Sequence, residues 1–353
     1  MKNLKIAILY QANNPPLVDG IYKPMKPGGY SDSGADIAFA LYKDSFPIIT
    51  PVKFPNITVD MDWVFPDTEE GINHAINKGA ELLWLNTVLY KGHPIEKFFS
   101  KNIGFIGQCP NRVDRYDNKI ITNELLKDNG IPVPDFLLLN EVKKINLNFN
   151  FSYPILLKPV RGRGSQGVIK IDSGKELCEC LQQNQKTYSK DHSFYIEKYL
   201  SGKELTITVM PPGKYRFGNQ YKIMSDYWSL PPVRRFNHIN GIVPYNGTVA
   251  VVKNSEVLNK DEIKNKKIKE LFSHCEKAAS LVKAKAPIRI DCRSDENSDY
   301  YLFDLNMKPN MTGNVRPHRK NQISLTGIAA QSIGWAYQDL LFNMMNQYWY
   351  ANK

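Results

Sequence analysis

Three oxygen-bearing side chains in the last quarter of the chain carry its densest chemistry. Asp304 and Asn306 stand two apart in "YYLFDLN", and Asp291 lies just upstream in "APIRIDCRS". Both stretches read as strands, where successive side chains alternate faces. Asp304 and Asn306 therefore point the same way, and Asp291 joins them if the two strands pair antiparallel. Two carboxylates and an amide oxygen make a hard-oxygen site suited to Mg²⁺, which takes further ligands from water and substrate phosphates. Arg289, two residues before Asp291, faces the same side and could steady negative charge beside a metal. Alone, D-x-N on a strand is a weak signal and reads more readily as a solvated strand end.

A second cluster lies in "YPILLKPVRGRGSQGVIKI", residues 153–171. It reads as strand, glycine-rich turn, strand, with Lys158 leading into the turn. The turn is either a plain hairpin connection or a loop that holds phosphate, and the local text leaves both open. Arg234 and Arg235, among the aromatics of "SDYWSLPPVRRFNH", either clamp a substrate carboxylate or lie solvated over packed rings. Arg316, in "GNVRPHRK", follows the metal strand closely and is expected to meet a substrate carboxylate or phosphate. Tyr30 and His93 are candidates for the N-terminal side of a cleft, with ordinary packing the favoured reading for both.

These residues need elements to position them. The first third alternates apolar runs at 5–10, 46–52, 62–66, 81–86 and 103–108 with helical patterns such as "SGADIAFALYKD" and "EEGINHAINKG". That alternation predicts a parallel α/β sheet. "GGYSDSGADIAFAL" predicts a helix entry capped by Ser31 or Asp32, its N-terminus able to face an anion. In "NRVDRYDNKIITNELLKDNGIPVPDF" an apolar face of Ile120, Ile121, Leu125 and Leu126 predicts a helix that Gly130 stops. "FYIEKYL" and "ELTITVM" predict strands around a tight "SGK". Residues 211–247 show little periodicity and are expected to form a long loop of the lid or binding type. An amphipathic helix is predicted over 261–285 and a closing helix over 321–346.

Composition narrows the classes. The chain has 353 residues, 42% hydrophobic and 23% charged, as ordinary soluble proteins do. No apolar run approaches the roughly 20 residues of a membrane span, and a cytoplasmic location is expected. Five cysteines without C-x-x-C spacing argue against a disulfide framework or a zinc site. The net charge of +11 suits anionic small substrates, and no recognition-helix or aromatic pattern supports nucleic acid.

The order of features then becomes specific. A helix lysine (Lys119) precedes the strand lysine with its glycine turn; "YIEKYLSGKELTI", an Arg-x-Asp strand and Asp-x-Asn before "KPNMTG" follow. This order resembles the ATP-grasp superfamily, and most the D-alanine–D-alanine ligase group. The resemblance covers residues 103–335 well and the first hundred loosely. It implies an α/β (α+β) ATP-grasp fold: an N-terminal Rossmann-like domain at 1–110, a central subdomain with a phosphate flap at 111–197, and a C-terminal subdomain with the metal site at 198–353. It implies ATP with two Mg²⁺ ions, Mn²⁺ as a substitute, and a possible homodimer.

By the same resemblance Lys119 and Lys158 contact the ATP phosphates, and the turn from Gly162 through Gly164 and Ser165 to Gly167 closes over them. Glu197 and Leu200 frame the adenine, and Glu204 binds the ribose. Asp291, Asp304 and Asn306 ligate metal. Arg289 stands beside the transferring phosphate, and Asn310 falls where the family often has glycine. Arg163 replaces a small residue of the flap and is expected to touch phosphate or substrate. The implied activity is ATP-dependent ligation of a carboxylate to an amine through an acyl phosphate, joining an amino acid or small peptide to an amine. A phosphotransferase, a carboxylate–thiol ligase or a weakly catalytic nucleotide-binding protein are the alternatives. Three departures argue against D-alanine specificity. The family's substrate-reading glutamate falls near Gly28, its serine at Gly164, and its serine–leucine pair at Val315-Arg316.

Overall fold

The computed structural model describes residues 4–18, 23, 25–140, 149–162, 165–183, 194–243 and 250–351. Its first sheet holds β1 (Ile6–Tyr10), β2 (Phe65–Pro66), β3 (Leu82–Asn86) and β4 (Gly104–Ile106) in the order β2-β1-β3-β4, all parallel. The parallel α/β expectation therefore holds, and the residue parity of β1 says why. Ala7 and Leu9 pack toward α2 (Glu69–Asn77), while Ile6 and Ile8 pack toward α1 (Ser31–Lys43). Such a strand is covered on both faces and is apolar throughout, as parallel strands are. The run at 46–52 contributes only one isolated bridge, Ile48 to Ile6.

The helix entry differs from expectation. Residues Pro27–Tyr30 form a 3₁₀ turn, and Tyr30 caps α1 from the left-handed region at φ 67°. Neither Ser31 nor Asp32 caps. The Asp32 carboxylate accepts from Ser33 N–H at 2.8 Å and pairs with Lys26 and Arg319, so this helix end already faces its own anion.

Further along, α3 (Pro110–Asp117) and α4 (Lys119–Asp128) meet at Asn118, whose side chain accepts from Ile120 N–H and Ile121 N–H. Gly130, at φ 70°, ends α4 as its sequence predicts. A second sheet follows: β5 (Phe136–Leu138), β6 (Ile155–Pro159), β7 (Ile169–Ile171) and β8 (Phe194–Lys198), ordered β5-β8-β6-β7 and antiparallel. The glycine-rich turn joins β6 to β7, and α5 (Gly174–Gln183) packs behind it.

The third sheet carries the site. It is built on β9 (Glu204–Met210), and the loop expected over 211–247 is strands up to residue 235 and irregular over 236–243, while 244–247 lie outside the described residues. Residues 211–235 form the hairpin β10 (Gly213–Phe217) and β11 (Gln220–Met224), then β12 (Trp228–Ser229) and β13 (Val233–Arg235), which both pair with β9. The strands β14 (Ser255–Val257), β15 (Ile288–Ser294) and β16 (Tyr300–Asn306) complete the order β14-β13-β9-β15-β16. One face of this sheet presents Leu205, Ile207, Ile288, Ile290 and Cys292 to the buried stripe Ile268, Leu271, Cys275 and Ala279.

That stripe belongs to the helix predicted over 261–285, which is in fact two. These are α6 (Lys260–Ile263), with a capping box at Asn259, and α7 (Lys266–Leu281), capped by Asn265. The closing helix is likewise divided into α8 (Leu325–Ser332) and α9 (Tyr337–Met345), with Gly334 at φ 85° between them. Among the described residues no helix is long and apolar enough to cross a membrane.

Candidate active site

Strand register assembles the polar face of the third sheet. Asp291 stands directly opposite Asp304, and Arg289 directly opposite Asn306, in an antiparallel pair. Across β9, Asp291 also opposes Thr206, and Arg293 opposes Glu204. Directly opposed residues share a face. Asp291, Asp304, Asn306 and Arg289 are therefore on one side, as their spacing predicts. Asp291 accepts from Thr206 Oγ1 at 2.6 Å and from Arg289 Nη2 at 3.1 Å. Asn306 Oδ1 accepts from Lys308 N–H at 2.9 Å.

A β-bulge then adds a residue that the sequence reading missed. Asp291 opposes Asp304 but Cys292 opposes Leu302, so Phe303 is left without an opposite residue. Two residues opposing one is the bulge pattern, which re-aims side chains. Both Phe303 and Asp304 line a cleft between the second and third sheets, which encloses about 740 Å³ including space open to solvent. Lys158, Glu197, Leu200, Glu204, Gly162 and Ser165 line the same cleft. Lys158 donates to Glu197 Oε1 at 2.5 Å, and its ammonium lies 4.9 Å from the centre of the Phe303 ring.

Ser165, at φ 61°, reaches across the cleft mouth to within 3.5 Å of the Val243 carbonyl. Gly167 does not line the cleft, but its φ of 73° shapes the turn. Arg163 and Gly164 lie outside the described residues.

Lys119 joins this cleft to a second one. Its position at the first turn of α4 follows from the Asn118 cap, and its ammonium donates to Asp304 Oδ1. Burial alone would push the Asp304 carboxyl up, but Lys119 holds it below the ordinary aspartate value; Lys119 is raised in turn. Lys119, Gly162 and Asp304 line both clefts. The second cleft, about 630 Å³ on the same measure, adds Tyr30, Lys23, Tyr116, Arg289, Asn306 and Lys308. Tyr30 is therefore a cleft residue; the Lys308 ammonium sits 3.1 Å from its ring centre.

Several expected site residues lie elsewhere. Arg316 is fully buried and away from both clefts. Its Nε donates to Asp36 at 2.7 Å, Nη1 to Asp60 at 2.7 Å, and Nη2 to the Asp32 carbonyl at 3.0 Å. It ties the chain after β16 to α1, because four oxygen partners from residues 32–60 surround it, the Ile57 carbonyl at 3.3 Å among them.

His93 is buried, with Nε2 3.1 Å from Asp67 Oδ2 and Nδ1 accepting from Ile95 N–H. Arg234 points to the other face of its strand and pairs with Glu256 and Glu262. Arg235 faces the site, close enough for Asp291, Glu204 and Arg289 to influence it, and burial lowers its pKa. Asn310 Oδ1 accepts from Thr312 N–H and Oγ1, a local turn that lines neither cleft. Arg293 is the converse case, a functional neighbour left unread. Its guanidinium donates to the Gly202 and Gly241 carbonyls and to the Tyr199 hydroxyl, which ties the cleft wall at Gly241 to β15.

The polar face and the two clefts agree with a known family. The family model described as D-ala D-ala ligase C-terminus matches residues 125–346. The chain belongs to the D-Ala–D-Ala ligase family. It is accordingly an ATP-dependent ligase that forms carbon–nitrogen bonds. A D-alanine–D-alanine ligase of Francisella philomiragia is 25% identical over 94% of this chain and 95% of its own. The fold of the family extends over the whole chain. A Bacillus anthracis D-alanine–D-alanine ligase solved with ATP superposes with a TM-score of 0.63 at 18% identity, covering 98% of this chain and 97% of its own. The VanG D-Ala:D-Ser ligase of Enterococcus faecalis gives 0.65 at 14% identity, covering 98% and 99%.

Proposed function

We propose that this ligase joins an amino acid or small peptide to an amine through an acyl phosphate, with a substrate pair other than two D-alanines. The observation that carries the reading is the meeting of two clefts at Lys119, Gly162 and Asp304. One cleft has the chemistry for a nucleotide and the other, with Arg289, Lys308 and Tyr30, for a small acid. A phosphoryl group passing between them would cross the face that carries Asp291, Asp304 and Asn306. Three positions support a different substrate pair. Gly28 offers no carboxylate, the position of Val315 offers no hydroxyl, and Arg316 is held by Asp36 and Asp60.

The donor set fits Mg²⁺: two carboxylates and one amide oxygen on a single sheet face, with nucleotide phosphates and water to complete each shell. Among the described residues no cluster of three or more His, Cys, Asp or Glu side chains competes as a metal site. Two ions held by Asp291, Asp304 and Asn306 would neutralise charge on the transferring phosphate; Mn²⁺ suits the same oxygens.

The chain's own residues do the rest. Leu200 and the backbone after Glu197 frame the base, Glu204 takes the ribose hydroxyls, and Lys158 and Lys119 turn from their carboxylates to the phosphates. Arg289 steadies the transferring phosphate. A carboxylate oxygen of the acid bonds to the γ-phosphorus as the bond to ADP breaks. The amine then attacks the acyl carbon, loses a proton, and inorganic phosphate leaves. The flap, Arg163 included, excludes water that would hydrolyse the acyl phosphate. The three units 1–110, 111–197 and 198–353 frame these clefts, and five free thiols suit a reducing compartment such as the cytoplasm.

Phosphate release from ATP, measured over a panel of amino acids and amines, tests the reading. Release that needs a carboxylate and an amine together is expected, and no release with any pair would sink it. Asp291→Asn should abolish turnover; an intact rate would remove Asp291 from the metal site.

A further inference from the structure

Beside the second cleft lies a third cavity, about 410 Å³ including space open to solvent. Val113, Met307 and Lys308 line both, so the cavity opens beside the residues that would hold the acid. Its walls come from the two ends of the chain. Trp84, Leu85 and Leu89 belong to the first sheet and its exit, while Met311 and Met344 come from the C-terminal region. Ligand sites favour such junctions.

Apart from Lys308 at the side shared with the second cleft, the polar side chains in this wall, Asn86 and Gln108, are already engaged. Asn86 Nδ2 donates to the Tyr30 carbonyl at 2.9 Å and to Ser33 Oγ at 3.2 Å. Gln108 Nε2 donates to the Ala286 carbonyl at 2.8 Å, and its Oε1 accepts from Lys285 N–H at 2.9 Å. What remains is an apolar surface. Interiors are close-packed, so space among buried apolar side chains is unfavourable to keep. Three methionines, unbranched and polarizable, let the wall adapt to different apolar guests.

We propose that this cavity is the side-chain subsite for an amino-acid substrate bearing an extended aliphatic or thioether group, such as leucine or methionine. The substrate carboxylate stays beside Arg289 and Lys308, and the side chain passes Met307 into the cavity. The proposal rests on the ligase reading for its setting, but its first test does not depend on turnover.

Equilibrium dialysis of alanine, leucine, methionine and aspartate, each as both enantiomers, against the protein with a non-hydrolysable ATP analogue reads the subsite directly. One enantiomer of leucine or methionine should bind at least roughly ten-fold more tightly than alanine, since each methylene in an apolar pocket contributes about that factor. Ala286 lines the cavity, so Ala286→Leu should narrow it and erase the preference without changing affinity for the ATP analogue. Met344→Ala enlarges it and should move the preference toward phenylalanine, which covers failure of Ala286→Leu to fold. Equal binding of leucine and alanine, or a preference that neither variant moves, overturns the proposal. Preferential leucine binding without phosphate release from any pair would sink the ligase reading and leave the subsite standing. Release confined to small or acidic substrates would do the reverse.

Discussion

Replacing Arg316 should destabilise the protein and leave its substrate affinities nearly unchanged. The magnitude follows from what the side chain leaves behind. Its guanidinium donates to two carboxylates and two carbonyls, those of Ile57 and Asp32, and has no exposure. In Arg316→Met, Asp60 can rehydrate, because its side chain is 31% exposed. Asp36 cannot, because its side chain is fully enclosed; it keeps Arg319 at 3.1 Å and Gly313 N–H at 3.3 Å. The loss is thus that of a buried charge stripped of one partner, about 3–5 kcal/mol.

Lysine at 316 retains the charge but not the planar fork, so Arg316→Lys should fall between. Burial already pushes the Asp36 carboxyl above its ordinary value, against the pull of Arg319 and Arg316. Removing Arg316 raises it further. An acid with a raised folded pKa is favoured when protonated, so the variant's deficit should shrink as pH falls toward that value. Urea titrations of the three proteins at several pH values, beside KM for ATP and for the acid, make the assay. An unchanged urea midpoint with a raised KM for the acid would refute the reasoning and return Arg316 to the cleft.

Three further variants test the site's supports. Phe303→Ala removes the ring under the Lys158 ammonium and part of the nucleotide cleft wall. With about 1–2 kcal/mol lost, KM for ATP should rise roughly five- to thirty-fold; an unchanged KM would make the bulge incidental. Arg293→Lys cannot span the Gly202, Gly241 and Tyr199 oxygens together. It should weaken ATP binding while leaving KM for the acid as it was, and dialysis against labelled nucleotide would show this. In Gly29→Ala, with φ at 56°, the new Cβ would lie 1.8 Å from the Gln11 carbonyl oxygen. The turn that presents Tyr30 must shift, so melting temperature should fall and KM for the acid rise together; a variant with wild-type values of both would show that the turn is dispensable.

Strand parity explains both the reach and the limit of the sequence reading. Asp291, Asp304, Asn306 and Arg289 were legible because alternation is local and rigid, needing only an antiparallel partner. The same arithmetic extends one step to Arg293, in "RIDCR", and was not carried there. The hairpin β10–β11 has a local signal too, Gly218 and Asn219 separating two strand-like runs by two residues, but the weak periodicity of 211–247 reads as a loop. Phe303 was not, because a bulge is a mismatch between two strands and neither strand records it alone.

Arg316 failed, and His93 took its packing reading, for a third reason. A polar residue near a site turns outward or inward according to partners far along the chain, here Asp36 with Asp60 and Asp67. Chemistry placed by alternation on strands can therefore be read in one dimension. The proposed subsite lies where residues 84–89 meet residues 307–311 and 344, a junction that no local pattern encodes. This is why the reaction class is readable from the chain while the identity of the acid must be sought in the cavity.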